Sequence, residues 1–317
     1  MEIKNSSKLK ILKFLIIFLG FIQLVIGVLA AFFGPLEMYC FYFFSEGGRF
    51  HYDGFGFGSF MFGNLAMQIM GYYLIAAIFI PLGVGHLKKL RWARILALVL
   101  LWSWLIVGIP LSIIFFFVLM TAKELPILWG LIAIIFLLSS YFAIPALLIR
   151  FYRSKDVKKI FESKGSYSSW IENYPIPILV LTCLYVLYLI AFHILIFFNC
   201  IFPVFGVFLY DFTGIVLITI SIMILLILLL GTLRQKVWAW LGSLIYFSLL
   251  SISTIFTFIR SKYLDILSNM KFDPTEVEAL DGIPAQGWHF AVFFGMPLLL
   301  TLGLLVHSRL YFKKSGI

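Results

Sequence analysis

Gly85-His-Leu-Lys-Lys-Leu-Arg-Trp-Ala93 and Gly231-Thr-Leu-Arg-Gln-Lys-Val-Trp-Ala239 are two copies of one basic turn, and they decide the fold. The copies lie 146 residues apart and share Gly, Leu, Trp and Ala at four of nine positions. Each copy joins two long apolar runs, a pattern typical of a helical hairpin. The repetition predicts two similar halves, residues 1–165 and residues 166–317.

Composition defines the class of protein. Hydrophobic residues make up 63% of the chain and charged residues 12%, whereas a soluble domain has about 25% charged residues. Apolar runs of about 20 residues are long enough to cross the ~30 Å hydrocarbon layer of a membrane as helices. We therefore predict an all-α, polytopic integral membrane protein with eight transmembrane helices, arranged as two four-helix repeats.

The predicted spans are separated by short segments and two longer connections. Lysines precede the first run, which resembles a signal peptide, but about 20 apolar residues exceed the 7–15 of a cleavable signal and favour an uncleaved span. The spans cover roughly residues 14–33, 62–84, 95–120, 126–149, 175–198, 212–230, 240–259 and 288–306.

The connections have distinct compositions. Gly34-Pro35 is expected to end the first helix and to begin an aromatic outer loop over residues 34–60. Residues 155–162 have the pattern of a short amphipathic helix lying along the membrane. In the acidic outer loop 260–287, Asp273-Pro-Thr-Glu276 predicts a helix start, and that helix is expected to end near Gly282.

The arrangement of charge predicts the orientation. With a cytoplasmic N-terminus, the inside segments hold 19 of the 24 Lys and Arg residues and 4 of the 14 acids. An excess of Lys and Arg in cytoplasmic loops sets membrane orientation, so we expect the plasma (inner) membrane with both termini cytoplasmic. Four spans in each half make the two repeats parallel. The net charge of +10 follows these loops and forms no basic stripe, so no nucleic-acid partner is predicted.

Few residues are candidates for a binding site. Interhelical packing is the simpler interpretation of polar side chains within spans. His193 lies within a predicted span, where an ionisable group is a candidate functional residue by default. Five residues are candidates for a shared pocket: Gln23, Asn64, Gln68, His193 and Asn199.

The cysteines allow one candidate disulfide. The predicted topology places Cys40 and Cys200 near the outer surface at equivalent points of the two halves. They would pair in an oxidising compartment if their Cα atoms lay about 4.4–6.8 Å apart. No metal-ligand spacing is present, and we predict neither a metal nor a cofactor.

The sequence favours no catalytic class. The metalloprotease, serine-nucleophile and nucleotide-binding motifs are missing, and the chain is not expected to be an enzyme. One interpretation is a membrane-embedded scaffold or accessory subunit of a larger complex, whose partners are the lipid bilayer and other membrane protein subunits. The alternative is a transporter, or a protein binding lipid or a small apolar molecule, with a pocket between the repeats.

Overall fold

The computed structural model describes residues 2–44, 48–50, 59–121, 126–162, 169–270, 272, 274–283 and 285–312. Within these residues, eight helical segments are long and apolar enough to span a membrane. This result confirms a multi-pass membrane protein. The spans are Ser7–Phe44, Phe60–Leu87, Arg91–Phe117, Leu128–Arg153, Ile176–Ile196, Asp211–Leu233, Val237–Arg260 and Gly287–Tyr311.

The described part of the chain is almost entirely helical. Its α-helices are α1 (Glu2–Phe44), α2 (Phe60–Leu87), α3 (Arg91–Thr121), α4 (Ile127–Leu138), α5 (Ile144–Arg153), α6 (Lys155–Glu162), α7 (Ile176–Ile196), α8 (Asp211–Leu233), α9 (Val237–Arg260), α10 (Tyr263–Asn269), α11 (Pro274–Asp281) and α12 (Gly287–His307). A π-helical turn, Ser139–Ala143, joins α4 to α5. Two short 3₁₀ helices are Trp170–Asn173 and Ser308–Tyr311, and a hairpin is formed by β1 (Phe202–Val204) and β2 (Val207–Leu209).

The chain forms two compact units. Unit 1 comprises Met1–Gly56, Met61–Leu101 and Leu147–Ile176, and unit 2 comprises Phe57–Phe60, Trp102–Ala146 and Pro177–Ile317. These bounds differ from those of the predicted halves. The predicted boundary at residues 165 and 166 lies outside the described residues, and the four-plus-four repeat stays a prediction.

The first helix contradicts the expected end at Gly34-Pro35. Helix α1 continues through Pro35 to Phe44, so the connection to α2 is shorter than the predicted 34–60. A Cβ on Gly34 would lie 3.3 Å from the ring of Tyr73, so α1 packs closely against α2 at this point. This packing outweighs the local preference of Pro35 to interrupt a helix.

Helices α1 and α2 of unit 1 approach each other through glycines. A Cβ on Gly83 would lie 2.7 Å from the backbone nitrogen of Leu24, and a Cβ on Gly27 would lie 2.8 Å from that of Ile80. Small residues allow helix backbones in a membrane to come into close contact. This contact aligns the end of α2, which carries His86, against α1.

Helix α6 forms as predicted, and its apolar side chains pack within the protein. Its apolar side chains Val157, Ile160 and Phe161 are at most 4% exposed. They pack into unit 1, so this apolar face is covered by protein, and the position of the helix along the membrane stays a prediction. The charged face is exposed, and there Lys8 Nζ of α1 lies 2.7 Å from a carboxylate oxygen of Asp156.

Helix α9 is the centre of unit 2 and packs against α8 and α12. Phe247 on α9 is fully buried, with its ring 5.2 Å from that of Tyr185 and 5.3 Å from that of Tyr188. The chain between α7 and α8 contains the hairpin β1–β2 beside α9. The hairpin turn is formed by Phe205 and Gly206, whose φ angles of 40° and 103° are both positive.

The π-helical turn is held in place by α3 within unit 2. It ends two residues before Pro145, which lacks the backbone N–H that a regular helix would use. The indole of Trp104 stacks parallel to Tyr141 at 5.2 Å, and its Nε1 donates a hydrogen bond to the carbonyl of Ser140. The indole thereby provides a donor to a carbonyl in the irregular turn.

Candidate functional site

The first basic turn is held closed by a glycine. Lys89 has a φ of 54°, and the backbone N–H of Leu90 donates to the Gly85 carbonyl at 2.8 Å. A Cβ on Gly85 would lie 2.6 Å from the Cβ of Ala93 and 2.9 Å from the ring of Trp92. The matching Gly, Trp and Ala are therefore the residues that bring the two helix ends together.

The second turn has the same geometry. Gln235 has a φ of 53°, and the N–H of Lys236 donates to the Gly231 carbonyl at 3.0 Å. A Cβ on Gly231 would lie 2.5 Å from the Cβ of Ala239 and 2.6 Å from the ring of Trp238. The two turns, which are similar in sequence, thus have the same backbone conformation. One turn lies in unit 1 and the other in unit 2.

The residue after the glycine is buried and polar in both turns. His86 is fully buried, its Nδ1 donates to the Leu82 carbonyl at 2.8 Å, and its ring lies edge-on to Tyr152 and Phe161. We call His86, Arg94, Tyr152 and Phe161 the first-turn cluster. Because a carbonyl only accepts, Nδ1 carries a proton, and Nε2 has no hydrogen-bond partner among the described residues.

Arg94 connects this cluster to the end of α5. It is only 8% exposed, and its Nη1 donates to the Tyr152 carbonyl at 3.1 Å. A cation is favourable where the last carbonyls of a helix have no partner within the helix. Glu162 lies near enough to act electrostatically on Arg94, and Arg91 Nε lies 3.5 Å from Glu172.

Trp240 occupies the position in the second copy that Arg94 has in the first, directly after the shared Trp-Ala. Its Nε1 donates to the Leu305 carbonyl near the end of α12 at 2.9 Å. The guanidinium of Arg309 lies over its ring at 5.5 Å. In each unit, the residue after the shared Trp-Ala therefore donates a side-chain hydrogen bond to a carbonyl near the end of a later helix.

The interior of unit 2 contains a group of hydroxyls. Thr232, the counterpart of His86, is fully buried, and the Tyr185 hydroxyl lies beside the hydroxyls of Thr232 and Ser243. The Tyr188 hydroxyl lies 2.7 Å from Thr301 Oγ1, which itself donates to the Pro297 carbonyl. Tyr188 is therefore the donor to Thr301. Tyr188 and Thr301 thus bond to each other and to backbone, which is how uncharged polar side chains join membrane helices. The buried hydroxyls of Tyr185, Thr232 and Ser243 have no hydrogen-bond partner among the described residues.

The structure places three predicted pocket residues in unit 1. Gln23 is half-buried on α1, and its Oε1 has no hydrogen-bond partner among the described residues. Asn64 is half-buried on α2, whereas Gln68, one turn further along, is exposed. Asn64 and Gln68 therefore share a helix without sharing the same degree of burial.

The other two predicted pocket residues belong to unit 2. His193 is exposed near the end of α7, and its Nδ1 donates to the Leu189 carbonyl at 2.7 Å. Asn199 donates from Nδ2 to the Asn269 carbonyl at 2.8 Å, which ties the chain after α7 to α10. Asn199 therefore has a structural contact of its own, and a pocket shared by all five residues stays a prediction.

Cys40, Cys183 and Cys200 are free thiols in this structure, and pairing of Cys40 with Cys200 stays a prediction. Cys200 follows α7, outside the spanning segments. Burial raises the pKa of the Cys200 thiol, and the nearby Asp211 carboxylate raises it further. Since the thiolate is the reactive form, Cys200 is a weak nucleophile at neutral pH.

The ion pair of α1 and α6 is exposed to solvent. The hydrogen bond from Lys8, followed by the charge of Lys8, lowers the pKa of the Asp156 carboxyl. A lowered pKa means that the folded protein favours the charged carboxylate, so the pair contributes stability above the ordinary carboxyl pKa. This contribution is lost as the pH falls through the lowered value.

Two buried ionisable residues, His86 and Arg94, were not predicted as candidates from the sequence. Predicted spans that ended at Val84 and resumed at Ile95 left His86 and Arg94 in a turn, whereas α2 and α3 include them. Their equivalence to Thr232 and Trp240 was the available signal. Aligning the turns one residue beyond the shared Trp-Ala would have shown that these positions are not ordinary basic loop residues.

Comparison with protein-family models, with curated proteins and with solved structures found no match. The interpretation of the site therefore depends on its chemistry alone. The two turns present side-chain donors to backbone carbonyls, among them the buried guanidinium of Arg94. This arrangement is suited to joining helix ends and to binding other polar groups.

Proposed function

We propose that this protein is a membrane-embedded scaffold or accessory subunit, without catalytic activity, that binds other membrane protein subunits within the lipid bilayer. The observation that carries the proposal is the packing of buried aromatic side chains at the centre of unit 2. Tyr185 and Phe247 are both fully buried, and their rings contact each other at its centre. The hydrogen bond from Tyr188 to Thr301 uses another interior hydroxyl.

The outer faces of two spanning helices supply the surfaces for a partner. Gln68 on α2 and His193 on α7 are both exposed. A polar side chain that faces lipid loses its hydrogen bonds to water, and polar side chains of a neighbouring helix replace them. We infer that Gln68 and His193 lie in contact surfaces for polar residues of partner helices.

The repeat and the orientation are part of the proposal. The identical turn geometry and the parallel roles of Arg94 and Trp240 support a duplicated four-helix unit. Five Lys and Arg residues in the outside segments, against 19 inside, support cytoplasmic termini in the plasma membrane.

The test is purification of the full chain from its native cells in mild detergent, followed by mass spectrometry of proteins and lipids. We expect a membrane protein in fixed stoichiometry with the chain. Gln68→Leu or His193→Leu should reduce recovery of that partner without lowering the melting temperature of the chain. Thr219→Val is the matched control, because Thr219 is exposed on α8 and its single donor is used by the Ile215 carbonyl of its own helix. The His193 imidazole also donates within its own helix, but it has a second ring nitrogen to offer a partner.

Two results would contradict the proposal. One is an isolated chain with no stoichiometric protein, which would favour the transporter or small-molecule-binding alternative. The other is a partner whose recovery is reduced by the Thr219→Val control as much as by the Gln68 and His193 variants.

A further inference from the structure

An open groove runs along the surface of unit 2 between α9 and α12. It has a volume of about 370 Å³, which is within the range of ligand sites. Its walls are almost entirely apolar. They are formed by Ile252, Ile255, Phe256, Ile259 and Leu299.

The length of the groove corresponds to one leaflet of a membrane. It extends along α9 from Ser251 to Arg260, about 14 Å at 1.5 Å per residue. This is about half of the ~30 Å hydrocarbon layer. The Ser251 hydroxyl at the far end donates to the Phe247 carbonyl, so that end offers no free donor.

Its other end carries a positive charge in a defined position. Arg260 is the last residue of α9, is exposed, and places its guanidinium 4.4 Å from the centre of the Phe256 ring. A Cβ on Gly206 would lie 3.1 Å from that ring and 4.0 Å from Arg260 Cδ. The hairpin turn thus packs beside both side chains and limits where the guanidinium can lie.

The charge of Arg260 has no carboxylate partner among the described residues. A guanidinium binds phosphate through two parallel N–H donors. The guanidinium of Arg260 lies at one end of the apolar groove. An α-helix about 10 Å wide over the same length would occupy roughly 1,000 Å³. A single hydrocarbon chain therefore suits the groove better than a partner helix.

We propose that this groove binds an anionic phospholipid, with one acyl chain along the apolar walls and the phosphate on Arg260. Burial of the chain supplies affinity in proportion to its apolar area. The guanidinium supplies the preference for negative charge. The hairpin turn at Gly206 is the element that fixes the arginine, which goes beyond a general attraction of basic residues to lipid headgroups.

The test uses the full chain, delipidated in detergent and titrated with phosphatidylglycerol or phosphatidylcholine of identical acyl chains, with bound lipid counted by native mass spectrometry. The wild type should bind phosphatidylglycerol more tightly. Arg260→Gln should lose this preference by about tenfold, the effect of one charge-assisted hydrogen bond. Lys262→Gln is the matched control, because Lys262 is an exposed cation two residues away.

A second variant tests the apolar part of the groove independently. Ile252→Trp should fill the groove and weaken both lipids, whereas Ile220→Trp, on an exposed position of α8, should weaken neither. An unchanged preference in Arg260→Gln, or an equal loss in Lys262→Gln, would overturn the proposal. Competition by soluble glycerol phosphate as effective as by the lipid would also overturn it, since the site would then bind a headgroup only.

Discussion

At Gly231 the absence of a side chain is what allows two helix ends to meet. An added Cβ would lie 2.5 Å from the Cβ of Ala239 and 2.6 Å from the ring of Trp238. Neither neighbour is the free end of a flexible chain, so the turn would have to open. Gly85 is in the same position relative to Ala93, which explains why glycine and alanine are among the residues that the two turns share.

Gly231→Ala should therefore destabilise the protein by about 1 to 3 kcal/mol, as overpacking at a tight contact does. Gly303→Ala in α12 is the matched control. A Cβ there meets nothing within 4 Å, and alanine stabilises a helix interior by about 0.5 to 1 kcal/mol relative to glycine. Unfolding of the purified chain in mixed detergent measures both changes. Equal stability of the two variants would show that the turn adjusts freely.

At the scale of the element, the hairpin β1–β2 depends on hydroxyls of α9. The backbone N–H of Phe205 donates to Ser253 Oγ at 3.0 Å, and that of Gly206 donates to Thr257 Oγ1 at 2.9 Å. Ser253 Oγ in turn donates to the Pro203 carbonyl at 2.9 Å. Ser253 and Thr257, which are four residues apart on α9, thus accept hydrogen bonds from the two backbone N–H groups at the tip of the hairpin.

Thr257→Val should leave the Gly206 N–H without an acceptor and destabilise the chain by about 1 to 3 kcal/mol. Ser253→Ala should have an effect of the same size, because it removes two hydrogen bonds of the hairpin. Thr219→Val removes only a bond within its own helix and should change little. Thermal melting in detergent measures stability, and proteolysis near Gly206 reports opening of the hairpin. Resistance to proteolysis equal to that of the wild type would contradict this role of α9.

Sequence patterns predicted the spanning helices well, because some 20 apolar residues in a row have few alternatives to a membrane helix. The helix-capping pattern also predicted α11, whose observed start at Pro274 and end at Asp281 agree with the expectation. Asp273 itself lies outside the described residues. The continuation of α1 past Pro35 and the hairpin at Phe205-Gly206 were not predictable. Each depends on partners distant in sequence, α2 for the helix and Ser253 with Thr257 for the hairpin.

The candidate site was predicted less well than the fold, for a related reason. Gln68 and His193 were singled out because polar residues are unusual within apolar runs, and both are exposed. His86 and Arg94 are buried, yet their position in a basic turn made them resemble solvated loop residues. Burial at a helix end is decided by what packs over that end. Here the ring of Tyr152 and the apolar face of α6 cover His86, and neither is evident from the local sequence.

At the scale of the whole molecule, the distribution of charge is the argument for the proposed orientation. Acidic residues number 10 in the segments assigned to the outside and 4 in those assigned to the inside. Lys and Arg have the opposite distribution. Adding or removing one span would exchange the sides of every later segment and destroy this alternation. The predicted span count and the predicted orientation therefore depend on each other.

Single-cysteine variants test that topology directly. In a background with all three native cysteines replaced by serine, Leu87→Cys lies beside the first turn and Ala285→Cys lies between α11 and α12. Five predicted spans separate them, so they should lie on opposite sides of the membrane. A membrane-impermeant maleimide should label Ala285→Cys in intact cells, and Leu87→Cys only after the cells are permeabilised. Labelling of both in intact cells would require an even number of spans between them, and the reverse pattern would place the termini outside.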